Sequence, residues 1–204
     1  MLGRQRLGLA RYRRLFGEVM TNWIARAFAV LIPLAASIVA SVAMAEPLLI
    51  AVIGDSNVQG KGVASSDAYP AKLERALIAR GFDVRVLNSG ANGDTTQGVL
   101  SRLDSAAPPP TKVAIVWVGI NDLRKGVPLA TVKADREAIA GRLRSRGIQV
   151  ITLDRRANEG LHSNPQFTVG DQQAHLNPAG YDAVVTRTLP AIEAAVRRAG
   201  GRHR

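Results

Sequence analysis

The chain has no cysteine, which removes disulfides, a thiol nucleophile and every cysteine-based metal site at once. Aromatic residues are scarce too, with two Trp, three Tyr and four Phe among 204 residues. A nucleic-acid surface needs basic residues interleaved with stacking aromatics, so the 27 basic against 16 acidic side chains do not point to one. Histidine is limited to His162, His175 and His203, and Asp55 and Asp122 have no ligand partners at the usual spacings, so no metal is expected. There is no Gly-x-Gly-x-x-Gly and no P-loop Lys-Ser/Thr, which leaves the glycines between 54 and 62 without the spacing of a phosphate cradle. No cofactor is expected either.

Charge is unevenly placed. Arg4, Arg6, Arg11, Arg13, Arg14 and Arg26 precede an uncharged run over residues 27–45, which closes on the small residues of Ala43-Met44-Ala45 before Glu46 and Pro47. This is the grammar of an export signal cleaved after Ala45. Met20 offers a conventional start, which would make 1–19 a mis-called extension. The competing reading keeps the segment as a membrane anchor, because its 19 uncharged residues approach the roughly 20 that span a bilayer. Six of the 27 basic and one of the 16 acidic residues lie in 1–45, leaving 21 against 15 and a net charge of +6. Arg136, Arg142, Arg144 and Arg146 are spaced as solvated helix faces. The expectation is one exported domain, periplasmic or secreted, over 46–204. It would be a monomer with no nucleic-acid partner and at most a weak attraction to anionic membrane surfaces.

Within 46–204, short apolar runs at 48–53, 82–87, 113–118 and 148–153 alternate with helical patterns at 71–80, 95–105 and 129–146. A last helix begins near Asn177, contains Pro190 and runs to about 199. Strands this apolar are buried on both faces. Strict alternation then predicts an α/β fold, a three-layer α/β/α sandwich with a parallel sheet of four to five strands. Phe167-Thr168-Val169 is the candidate for a vestigial fifth, edge strand.

Ligands of such sheets bind beyond the carboxyl ends of the strands. The segments there are Gly54-Asp55-Ser56-Asn57, Asn92-Gly93-Asp94-Thr95 and Gly119-Ile120-Asn121-Asp122, and Asp171-Gln172-Gln173-Ala174-His175 precedes the last helix. Acyl transfer needs a hydroxyl nucleophile, an imidazole base, an acid to orient it and donors for the oxyanion. Ser56, His175, the free amides of Ser56 and Gly93, and the Asn121 side chain offer those parts. Each block also has a plainer explanation. Ser56 can cap a helix, Asn92-Gly93 and Asn121-Asp122 are ordinary turn pairs, and Asp94 can cap the helix starting near Thr95. His162 sits in a polar loop where exposure is the default, and His203 in a terminal tail.

These four blocks, in this order over most of 48–185, resemble the SGNH (GDSL-like) hydrolase family. Asn92-Gly93-Asp94-Thr95-Thr96 with Gln97 and Leu100-Ser101-Arg102-Leu103 is most similar to its bacterial periplasmic thioesterase/lysophospholipase/arylesterase group. The resemblance implies a flavodoxin-like SGNH fold and an ester- or thioester-cleaving serine hydrolase. Ser56 would be the nucleophile, Ser56, Gly93 and Asn121 the oxyanion hole, and His175 the base. Implied substrates are short acyl esters, acyl thioesters, lysophospholipids and acetylated polysaccharide. The family's acid stands three residues before the histidine, where this chain has Gln172. Asp171, one residue further away, becomes the acid if the loop bulges. Asp154 is held in reserve, and a backbone carbonyl orienting His175 is a third solution. Ile120 replaces the second glycine of the commoner Gly-Gly-Asn-Asp, and only about 20 residues separate the fourth strand from His175, which implies an open cleft. The alternative function, which the displaced acid and the shortened chain keep open, is a non-catalytic or very slow relative that binds an acylated glycan or lipid.

Overall fold

A computed structural model describes residues 46–202. The expected signal, anchor and cleavage position in 1–45, and His203, lie outside the described residues. Four strands form one sheet: β1 (Leu48–Gly54), β2 (Val84–Gly90), β3 (Val113–Trp117) and β4 (Gln149–Thr152). All neighbours are parallel, in the order β2-β1-β3-β4. The eight helices are α1 (Ser56–Gln59), α2 (Tyr69–Ala79), α3 (Thr96–Ser101), α4 (Leu103–Ala106), α5 (Ile120–Arg124), α6 (Leu129–Arg144), α7 (Arg155–Asn158) and α8 (Pro178–Arg198) among the described residues.

Alternation along the strands sorts the core into two layers. Ile50, Val52, Val113 and Ile115 pack with Tyr69, Leu73 and Leu77 of α2 and Val184, Ile192 and Val196 of α8. The intervening Ala51, Ile53, Ala114 and Val116 pack with Val99 of α3, Leu103 of α4, and Ile139 and Leu143 of α6. Sequence order moves one way from β1 to β2 and back across β1 to reach β3. Right-handed crossovers must therefore put α2 on one face and α3, α4 and α6 on the other, as found. The reversal occurs at β1, so the open crevice of the sheet lies at the end of the strand that leads into Ser56.

The expected three-layer sandwich is the observed one, with four strands. Phe167-Thr168-Val169 contributes an isolated antiparallel bridge, Thr168 to Leu176, and no fifth strand. The second strand runs later than expected, because its polar end Asn88-Ser89-Gly90 still pairs with β1. The single helix expected over 95–105 is two helices broken at Arg102. Asp94 is not its cap. Thr95 is, accepting from the Gly98 amide at 3.2 Å, while the Asp94 carboxylate binds Arg102 Nε at 2.8 Å. Arg102 also donates to the Gly54 and Ser89 carbonyls, both at 3.1 Å, and so ties the ends of β1 and β2 to the loop beyond β2.

β1 can lie this close to β3 only because Gly54 has no side chain. A Cβ there would stand 2.0 Å from the Trp117 carbonyl oxygen. Gly54→Ala should therefore force backbone apart at the root of the crevice, lowering stability by about 3 kcal/mol, at the upper end of overpacking costs. Urea unfolding midpoints check this.

Candidate active site

The β1–α1 turn shapes the first part of the crevice. Asp55 is the N-cap of α1, its carboxylate accepting from the Asn57 amide at 2.9 Å, while its carbonyl takes the amides of Val58 and Gln59. Ser56 is thus not the cap but the first helical residue, a position whose amide has no partner within the helix. Gly60, at φ 87°, ends the helix after one turn. The Ser56 hydroxyl meets the loop before α8, and the residue is only 2% exposed.

That loop brings His175 to it. His175 Nε2 lies 2.9 Å from Ser56 Oγ across 119 residues of sequence. Asp171 meets the other side of the ring: one carboxylate oxygen is bonded to Nδ1 and the other accepts the His175 amide at 2.9 Å. The hydrogen bond from the imidazole, more than any other influence, holds the Asp171 carboxyl below its ordinary range. A carboxylate at Nδ1 keeps the proton there and leaves Nε2 as the acceptor for the serine O–H. Asp154, the reserve candidate, caps α7 instead, accepting from the Arg156 amide at 2.9 Å.

Gly93 sits on the loop that leaves β2, and Asn121 in the first turn of α5, just beyond β3. Gly93 is exposed, at φ 76°, with open space where a Cβ would be. Asn121 spends one amide proton on the Asp94 carbonyl at 2.9 Å, which aims the group and leaves its second proton for another acceptor. Asp122, next along, accepts from the Thr96 amide at 3.0 Å and the Thr96 hydroxyl at 2.7 Å, so the two loops are joined at consecutive residues. The carboxylates of Asp55 and Asp122 are thus taken up by protein donors. Among the described residues no three His, Asp or Glu side chains converge as a metal site.

Matches with known proteins agree with this geometry. Residues 52–203 match the GDSL-like Lipase/Acylhydrolase family. The chain belongs to that family. It is 31% identical over 151 residues to Esterase TesA of Pseudomonas aeruginosa, across 74% of this chain and 70% of that protein. An arylesterase of Vibrio mimicus is 27% identical over 145 residues, 67% of this chain and 72% of its own length. Among solved structures, the SGNH-hydrolase family esterase AlinE4 shares 26% identity at a TM-score of 0.57, covering 76% of this chain and 99% of that one. A TesA crystal structure shares the fold at a TM-score of 0.66 and 21% identity, over 72% of this chain and 99% of that one. This GDSL-like hydrolase is accordingly an ester-hydrolysing serine enzyme.

Three residues of the hydrolase site had no role in the sequence reading. Arg102 is one. Arg124 of α5 donates to the Gln173 carbonyl at 3.1 Å, joining the helix that carries Asn121 to the His175 loop. His162 is the third: it is half-buried rather than exposed, with Nδ1 2.8 Å from the Ala174 carbonyl. Each contact reaches a separate element of the fold, and only a lone basic or imidazole side chain marks it.

Burial pushes the Asp55 carboxyl up from 3.8 to about 6, against the opposing pull of the Asn57 donors and, more weakly, of Arg124 and His175. A raised carboxyl means that the folded chain holds a proton which the unfolded chain releases. Its stabilising contribution is present below about pH 4 and lost as pH rises through about 6. Asp55→Asn keeps a cap oxygen and cannot ionise. Relative to that variant, wild-type should lose roughly 3 kcal/mol of stability between pH 4 and pH 7, measured by chemical denaturation at each pH.

Proposed function

We propose that this chain hydrolyses carboxylic esters and thioesters through an acyl-Ser56 intermediate, with His175 as base, Asp171 as the acid that orients it, and Ser56, Gly93 and Asn121 as the oxyanion hole. The observation that carries the reading is the unbroken chain of hydrogen bonds from Asp171 through the His175 ring to Ser56 Oγ. In the first half-reaction Nε2 takes the serine proton as Oγ attacks the acyl carbon. The developing oxyanion is met by the Ser56 and Gly93 amides and the second proton of the Asn121 amide. Collapse expels the alkoxide or thiolate, which leaves with the proton from Nε2. Water then gives a proton to Nε2 and its oxygen to the acyl carbon, and the acid departs as Ser56 regains its hydrogen.

Ile120 and Leu123 of α5 are 40% and 43% exposed, large apolar side chains at i and i+3. Arg124, one turn from Ile120, reaches the loop that carries His175, so this apolar face borders the crevice. It supports an acyl chain lying beside Asn121, with short acyl esters, lysophospholipids and acyl thioesters all within its chemistry. A role limited to binding an acylated glycan or lipid was left open by the displaced acid and the shortened chain; the contact of Asp171 with His175 favours catalysis over it. We further propose that residues 1–45 direct export to the periplasm or beyond, on the strength of the arginines before the uncharged run and the small residues that end it.

Hydrolysis of p-nitrophenyl acetate, butyrate and decanoate tests the reading. Ser56→Ala should remove turnover of all three and abolish fluorophosphonate labelling; equal rates in variant and wild-type would sink it. Asp171→Asn should lower kcat roughly 10³- to 10⁴-fold, while Gln172→Ala stays near wild-type, reversing the order the family spacing implies. Leu123→Ser should raise KM for the decanoate ester about tenfold and for the acetate hardly at all, since the lost contact is apolar area. Equal effects on both esters would move the acyl chain elsewhere.

A further inference from the structure

The acid of this site stands four residues before its base, and the backbone between them has to absorb the extra residue. It does so at Ala174, the one non-glycine residue with positive φ among the described residues, at 52°. The Ala174 amide returns to the Asp171 carbonyl at 3.0 Å, and the His175 amide to the Asp171 carboxylate at 2.9 Å. The turn is therefore closed by the acid itself. Alanine does not enter the left-handed region unaided, because its Cβ crowds the following carbonyl. Something outside the turn must hold it.

Two side chains grip consecutive carbonyls there. Arg124 donates to Gln173 O, and His162 Nδ1 lies 2.8 Å from Ala174 O. A carbonyl can only accept, so the His162 proton is on Nδ1. Nε2 is then the acceptor for the Asn158 side-chain amide at 3.0 Å. Asn158 ends α7, whose start is capped by Asp154, two residues beyond the end of β4. The Ala174 carbonyl is thereby tied, through His162 and Asn158, to the carboxyl end of the sheet. On its other side the loop is anchored by the Val169 amide, which donates to the His175 carbonyl at 2.9 Å.

We propose that His162 is a positioning residue of this hydrolase: its Nδ1–H holds the carbonyl of left-handed Ala174 and so sets the turn through which Asp171, four residues back, orients His175. The proposal rests on the serine-hydrolase reading of Ser56 and His175. It assigns to this chain a support that an acid three residues before the base would not require.

The test uses the full chain and p-nitrophenyl butyrate, with Ser56→Ala as the control. His162→Ala should lower kcat about 10- to 100-fold with KM within about twofold, as expected when a catalytic group is misplaced by an ångström or less. His162→Asn, whose amide can stand in for Nδ1–H, should recover most of that loss. Adding Ala174→Gly to His162→Ala should recover part of it, because glycine enters the left-handed region without support. A His162→Ala enzyme with wild-type kcat overturns the proposal, and so does a loss that neither His162→Asn nor Ala174→Gly restores, which would mark His162 as merely structural. Turnover that persists in Ser56→Ala would instead bring down the serine reading beneath it.

Discussion

The site depends on the register with which β1 is held between β2 and β3. Gly54 pairs with Gly90 on one side and Trp117 on the other, so three strands end at one level and three loops leave together. Parallel pairing this close tolerates no Cβ at Gly54, nor at Gly90, where one would meet the Gln59 amide nitrogen at 2.2 Å. The two glycines keep the Ser56 turn pressed onto the sheet. Each loop then needs only a locally correct conformation for its polar groups to converge with those of its neighbours.

Those loops are joined by charged and amide groups rather than by apolar contact, which suits a rim that must stay open to a substrate. Arg102 binds the ends of β1 and β2 to Asp94, Asn121 binds the Asp94 carbonyl, and Asp122 binds Thr96. Every carboxylate in this set meets a positive group or several N–H and O–H donors, the condition under which burial of a charge is tolerated. Asp55 sits less comfortably. Its raised titration is the cost of burying a capping carboxylate beside Ser56. The same cap leaves the Ser56 amide without a helical partner.

Much of this was legible from residue patterns. Continuous apolar runs stopped by glycine or polar turns placed the strands, their alternation with helical patterns supplied the parallel topology, and topology put Ser56, Gly93 and Asn121 on one rim, while His175 was singled out by its place before the last helix and by the resemblance to the family. Less was readable where a contact depends on backbone conformation. Asp171 stayed one of several candidates because its reach to His175 needs a left-handed residue, and nothing about an alanine at 174 announces one. His162 looked like an exposed loop residue, since the partner of its Nδ1 lies twelve positions away on a segment with no periodicity. The break at Arg102 was hidden for a related reason: the helical pattern continues through it, and only the long-range carbonyl contacts of the guanidinium make the interruption favourable. Strand ends with polar residues, such as Asn88-Ser89-Gly90, read as turns until the neighbouring strand is known to continue beside them.

The central claim is that the acyl group passes through a covalent bond to Ser56 Oγ, and direct capture of that bond tests it best. Protein quenched in acid during steady-state turnover of p-nitrophenyl acetate, then digested and weighed, should carry one acetyl group on the peptide containing Ser56. That group should disappear once the substrate is exhausted. Acetyl on a different residue that turns over at the rate of hydrolysis, or undiminished hydrolysis by a protein that never becomes acylated, would contradict the account.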